Sequence, residues 1–283
     1  MNTFSKTIST RLGDKVIEML NDPTYGDIPT RVYKFRDWGN QWHQRMIREQ
    51  EIYYASANEF NDPFDCGVSV AWHLLKTDKI MCREYFHDFT KRTMNGASTK
   101  QQYDEAERLI AEGKYYDDKH MEISNKVTLQ KLYKTYGVFS VTPVVDNILM
   151  WAHYANSHKG FCVGFDSQKL FNFVRGLGGE VIYSKDYPVI SPLEYAQLGM
   201  IIQLMTKSEF WNYEIEYRLV KSNLPKRAVS IPKDIISEII FGCSMPIAHK
   251  EEVTKLVKTI LPHVRLFQAH PKQRAFELDI VSM

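Results

Sequence analysis

The chain of 283 residues has no apolar run approaching the roughly 18 residues that a membrane span needs. Residues 1–15, M-N-T-F-S-K-T-I-S-T-R-L-G-D-K, hold no apolar core long enough for a secretory signal. Cysteine is scarce. Cys66, Cys82, Cys162 and Cys243 lie far apart with no C-x-x-C spacing, so neither a zinc site nor a disulfide framework is expected. A cytoplasmic location follows as the expectation, with the cysteines as small buried hydrophobes. Excess charge is missing too. The balance of 36 basic against 34 acidic residues gives no overall field for coating nucleic acid. No G-x-x-x-x-G-K-[ST], G-x-S-x-G or H-E-x-x-H occurs, which argues against P-loop, α/β-hydrolase and zincin chemistry. Gly176-Leu-Gly-Gly179 is not a dinucleotide fingerprint, an argument against a Rossmann fold alone. Internal repeats, low-complexity tracts and Pro-, Gly- or Ser-rich linkers are also absent.

What is present is a globular mixture, 44% hydrophobic and 25% charged. Periodicity predicts an amphipathic helix over 7–20, a turn at Asn21, Asp22, Pro23 and Gly26, and a strand at Arg31–Arg36. A helix over 38–50 and a strand over 52–56 follow. Residues 74–135 are charged and helix-prone, with a break at 95–98. Strands are expected at 136–141, 161–165, 180–183, 213–220, 235–241, 264–268 and 275–281, with helices at 148–155, 192–209 and 246–260. The expectation is one α+β domain over 1–283, carrying a mostly helical insertion at about 74–135.

Three stretches crowd in chemistry. In Tyr213-Glu-Ile-Glu-Tyr-Arg-Leu-Val220, a strand puts Tyr213, Ile215, Tyr217 and Leu219 on one face and Glu214, Glu216 and Arg218 on the other. Two carboxylates at that spacing repel, which raises a carboxyl pKa if they are partly buried. A solvated edge strand with an internal Glu–Arg salt bridge fits the same pattern. In Phe60-Asn-Asp-Pro-Phe-Asp65, Asn61 and Asp62 favour a turn that Phe60 and Phe64 anchor. It is either a rigid packed turn or a loop bringing Asn61, Asp62 and Asp65 to a ligand. In residues 149–166, L-M-W-A-H-Y-A-N-S-H-K-G-F-C-V-G-F-D, the residues Trp151, His153, Tyr154, His158 and Lys159 precede a short strand. Each alone fits core packing; together they suggest one wall of a pocket, with His158 and Lys159 suited to phosphate and Gly160 to close backbone approach.

These three motifs, in this order, resemble an uncharacterised bacterial domain-of-unknown-function family over roughly residues 31 to 245. A second resemblance is to ADP-ribosyltransferases. Arg36 ends the first strand, Ser56 the next within Ala55-Ser56-Ala57, and Glu214-Ile-Glu216 sits on a late strand, with R-E-Q-E closing the intervening helix. That resemblance implies a mixed, split-sheet core and NAD as substrate. It also implies a protein or nucleic-acid acceptor, and a toxin or anti-phage role with an antitoxin or regulatory partner. On it, Glu216 grips the ribose as positive charge develops, and Glu214 orients or deprotonates the acceptor. Arg36 and Ser56 hold cofactor phosphate and sugar, with Asn61 alongside. Trp151 or Tyr154 stacks on a ring, His153 lines the site, and His158 and Lys159 neutralise pyrophosphate. Two other readings stand beside it: a metal-dependent nuclease or hydrolase using Asp62, Asp65, Glu214, Glu216 and His153, and a non-enzymatic ligand-sensing module.

Overall fold

Arg31-Val-Tyr-Lys-Phe-Arg36 forms strand β1, paired along its length with a later strand; Val32 and Phe35 are buried on opposite faces in separate core clusters, while Lys34 and Arg36 are only half-buried. The computed structural model describes residues 28–113, 117–194 and 196–283. The helix expected over 7–20 and the turn after it lie outside the described residues.

Helix α1 (Gln41–Arg48) is shorter than expected, because the Asn40 side chain caps it by accepting from the Trp42 N–H. Strand β2 (Glu51–Ser56) follows. The charged stretch holds α2 (Leu74–Thr77), α3 (Lys79–Thr93), α4 (Thr99–Glu112) and α5 (Asp118–Thr135). The break before α4 ends in a capping box between Ser98 and Gln101. Then come β3 (Tyr136–Val141), α6 (Ile148–Tyr154), β4 (Phe161–Asp166) and α7 (Ser167–Val174), the last not anticipated.

The strand expected at 180–183 is two strands, β5 (Leu177–Glu180) and β6 (Ile182–Ser184). Helix α8 (Ala196–Met205) stops before Thr206, where β7 (Thr206–Ser208) begins. The strand expected from Tyr213 is corrected. Residues Glu209–Glu214 form a 3-10 turn, Ile215 is left-handed at φ 42°, and β8 runs Tyr217–Ser222. The chain closes with β9 (Arg227–Ser230), β10 (Ile236–Phe241), α9 (Ile247–Ile260), β11 (Arg265–Pro271) and β12 (Leu278–Ser282).

The architecture is mixed α+β. One five-stranded sheet runs β1-β4-β10-β11-β12, antiparallel apart from the parallel β10/β11 pair. A second, wholly antiparallel, runs β5-β8-β3-β2-β9, and β6 and β7 form a small parallel pair. The main core draws on both large sheets: Val32, Phe161, Val163, Phe165 and Ile239 meet Ile52, Tyr54, Phe139, Val141 and Leu219. Beyond this packing, a backbone bridge joins the sheets, Tyr33 to Thr142, with N–H···O distances of 2.7 and 3.0 Å. Among the described residues, no helix is long and apolar enough to cross a membrane.

Candidate functional site

At the Tyr33–Thr142 seam lies a cavity of about 440 Å³. Strand β1 contributes Lys34 and Arg36 to its wall, the F-N-D-P-F-D loop contributes Asn61 and Asp65, and α6 contributes His153 and Tyr154. Lys207 of β7, the pair Glu214 and Glu216, and Glu59 and Ser140 add further polar lining.

The carboxylate side is closely wired. Arg218, with 0% exposure, donates from Nη2 to both Asp65 oxygens at 2.7 Å and from Nε to Glu216 at 2.8 Å. Its Nη1 donates to the Leu204 carbonyl at 2.6 Å, which helps offset the cost of burying a guanidinium. Lys207 Nζ donates to Glu214 at 2.5 Å and Glu216 at 3.0 Å, and stands 3.5 Å from Asp65. Tyr154 donates to the other oxygen of Glu214 at 2.6 Å. The salt bridge that a solvated edge strand would carry is therefore real but buried.

The left-handed turn at Ile215 makes this possible. It leaves the Ile215 side chain exposed while Glu214 and Glu216 on either side are buried, so the carboxylates rather than the isoleucine face inward. A β-branched residue at positive φ is costly, so the surrounding ion pairs must hold the turn in place.

The two carboxyls are driven apart. Burial, then the charge of Glu216, raises the Glu214 pKa against the pull of Lys207. Glu216 resists its own burial because the Arg218 guanidinium and then the Lys207 ammonium hold it well below the usual carboxylate range. Paired acids with divergent proton affinities are a common arrangement for proton transfer at neutral pH.

The opposite wall differs. Among the described residues no carboxylate lies within ion-pair distance of Lys34 or Arg36. Arg36 makes only a 3.3 Å bond from Nη1 to the Phe35 carbonyl, and Lys34 sits 5.5 Å from the Phe139 ring centroid. Burial, then the neighbouring Arg36 charge, lowers the Lys34 pKa to about 7; burial lowers Arg36 to about 10. Both side chains are thus partly removed from water with no carboxylate in contact, and Lys34 feels Glu216 and Glu214 only at a distance.

Of the residues singled out in the sequence, Arg36, Asn61, His153, Tyr154, Glu214 and Glu216 meet at this cavity. Ser56, Trp151, His158 and Lys159 do not line it. The buried Ser56 hydroxyl donates to the Tyr133 carbonyl instead. Trp151 is core, its indole N–H donating to the Val145 carbonyl and its ring edge-on to Phe35 at 5.0 Å. His158 stacks on Trp151 at 6.4 Å, and Lys159 points its exposed side chain elsewhere than the cavity lining. Their segment shapes a turn through three left-handed residues, Asn156, Ser157 and His158. Gly160 does permit close backbone approach: a Cβ there would fall 2.1 Å from the Arg36 carbonyl. The turn therefore braces β1 where Arg36 leaves it.

Asp62 accepts from the Trp211 indole at 2.7 Å, tying its loop to the 3-10 turn before Glu214. Among the described residues, no three His, Cys, Asp or Glu side chains form a metal-holding group. Lys207 and Arg218 occupy the space among Asp65, Glu214 and Glu216 that such an ion would need. The sequence reading missed Lys34 and Lys207. A lysine at mid-strand between Val32 and Arg36 was the available signal for the first; Lys207 was hidden inside an overlong helix.

Residues 150–219 match a family model described as a protein of unknown function, DUF2971. The match is narrower than the stretch of resemblance in the sequence. The DUF2971 segment carries His153, Tyr154, Lys207, Glu214, Glu216 and Arg218, hence nearly all of the wired side. Lys34, Arg36, Asn61 and Asp65 come from outside it. Comparison with curated proteins finds no match, and neither does comparison with solved structures.

Proposed function

We propose that the chain is an ADP-ribosyltransferase-like enzyme that breaks the nicotinamide–ribose bond of NAD. One observation carries this reading: the unpaired Arg36 and the Glu214–Glu216 pair border the same cavity. An anion-holding group beside a carboxylate pair is what a phosphorylated sugar requires. The two large sheets, meeting at a seam beside the cavity, are compatible with a split-sheet core.

In this reading Arg36 holds the pyrophosphate and Asn61 contacts the sugar, a part that Ser56 is not placed to take. As the C1′–N bond breaks, its electron pair leaves with nicotinamide and positive charge develops on the ribose. Glu216, kept ionised by Arg218 and Lys207, supplies a fixed negative field for that charge. It acts through this field, since both its oxygens are already engaged. The acceptor's lone pair forms the new bond to C1′, and its proton passes to the Glu214 oxygen that Tyr154 frees by turning away, burial having raised the proton affinity of that carboxylate.

The test is incubation with NAD, with and without cell lysate, following nicotinamide release and transfer of labelled ADP-ribose. Release is expected, falling about 10²–10⁴-fold in Glu214→Gln. Folded protein that releases no nicotinamide under either condition overturns the proposal. The engagement of both Glu216 oxygens favours a second reading, a ligand sensor, which predicts NAD binding without turnover. The toxin role is tested by growth arrest on expression, relieved by Glu214→Gln.

A further inference from the structure

Arg36 borders a second hollow as well. This one, about 540 Å³, is formed by α1, β2 and the approach to β9. Its lining is mainly apolar, with Met46 and Ala228 below two exposed rings, Trp42 and Tyr53. Trp42 is 67% exposed although it sits four residues before the buried Met46, so the helix turns a large indole toward open space.

The charges around this hollow are unequal. Arg45 stands 5.7 Å from the Trp42 ring centroid, but Glu51 holds it at 2.7 and 2.9 Å and Glu49 at 2.8 Å. Its charge is therefore balanced and its position fixed against the indole. Lys226 reaches only Glu59, at 3.6 Å, and Arg36 reaches no carboxylate among the described residues. The free charge is positive. His43 accepts the Asp37 N–H at Nδ1, so its neutral ring carries the proton on Nε2 as a donor. Burial, then the Arg36 charge, lowers its pKa to about 4, which keeps it neutral.

A purely apolar occupant would leave Arg36 unpaired, and a simple anion would leave Trp42 uncovered. We propose that the second hollow is a nucleobase subsite: a planar heteroaromatic ring stacks on Trp42 while its attached phosphate lies on Arg36, where the two cavities adjoin. An apolar hollow with a few converging polar groups is the common form of such sites, and indole stacking accepts any base. The inference takes from the proposed function only that Arg36 holds a phosphate. It stands even if no ribosyl bond is broken.

Calorimetry on the full chain tests it, with AMP, adenosine, ribose 5-phosphate and a short 5′-phosphorylated adenine RNA as probes. AMP is expected to bind about tenfold or more tightly than ribose 5-phosphate. Trp42→Ala erases that margin without changing ribose 5-phosphate affinity, and Trp42→Phe keeps most of it. Arg36→Gln weakens AMP and ribose 5-phosphate but not adenosine. Tighter binding of AMP than of the RNA identifies a free nucleotide as the ligand; the reverse identifies a strand end. Equal affinity for AMP and ribose 5-phosphate, no binding of AMP, or an AMP affinity indifferent to Trp42→Ala overturns the proposal. Absent nicotinamide release with these affinities intact overturns the proposed reaction and leaves the subsite standing.

Discussion

On the β8 side of the cavity, each of Asp65, Lys207, Glu214, Glu216 and Arg218 holds at least one opposite charge within 3.5 Å. On the β1 side, Lys34 and Arg36 are half-buried, enough to lower their pKa values, and hold none among the described residues. Both walls remove charge from water, yet only one recovers the cost internally. A closed network fixes geometry, because removing any member strands the others in a poor solvent. An open pair of cations stores affinity, because the missing partner has to come from outside.

The sharpest way to break this contrast is Arg218→Met. It leaves Asp65 and Glu216 with one buried partner fewer, and unfolding in denaturant should show a loss of about 3–5 kcal/mol. Arg36→Gln should do the opposite. Its stability is expected to stay level or rise, while inorganic pyrophosphate binding, read by calorimetry, weakens about 10–100-fold with a charge-assisted contact gone.

Lys34→Met should stabilise the fold by about 1–3 kcal/mol in a pH-dependent way. Below about pH 7 the folded and unfolded chains both carry the proton, and the folded state bears the whole cost of the buried charge. Between about 7 and the ordinary 10.5 the unfolded chain binds a proton that the folded chain does not, so wild-type stability rises with pH. The variant's advantage should shrink across that interval and vanish above it, as denaturant midpoints measured at several pH values would show.

Glu214→Gln should cost less than Arg218→Met, about 1–2 kcal/mol at neutral pH, because Tyr154 still has an oxygen to donate to and Lys207, though it loses one carboxylate, keeps Glu216 at 3.0 Å and Asp65 at 3.5 Å. Its folded pKa is raised, so the wild type binds its proton more tightly folded than unfolded, and loses stability as pH rises past 4.5 toward the raised value. The variant should flatten that fall. A loss as large as that of Arg218→Met would mean that Glu214 belongs to the scaffold.

Much of the sheet framework was legible because its strands are short, β-branched or aromatic runs: Arg31–Arg36, Phe161–Asp166 and Ile236–Phe241 were found where expected. The helices of 74–135 were legible through composition and the Met94–Ser98 interruption. Arg227–Ser230 was missed because it is mostly exposed and gains its strand character only by pairing with Glu51–Tyr54. The Ile215 turn defied reading for a stronger reason. Positive φ at a β-branched residue runs against local preference, and it is held by tertiary contacts: the ion pairs of Glu214 and Glu216 and the backbone hydrogen bonds of Glu216 with Tyr183 and Val181. In the site, Arg36, Glu214 and Glu216 could be singled out from the sequence but their meeting could not, since it depends on how distant strands pack, and Lys207 takes its place only once β7 has brought it beneath two glutamates. Trp151 and His158 misled because costly aromatic and polar residues can serve a tight turn as readily as a ligand.

The Tyr33–Thr142 bridge has a further consequence. It ties the strand that carries Lys34 and Arg36 to the end of the strand that pairs with β8, beside the hollow both sheets border. A substitution that shifts one sheet at this point therefore moves the wall holding Lys34 and Arg36 relative to the wall holding Arg218, so the width of the hollow is set by a single pair of backbone hydrogen bonds.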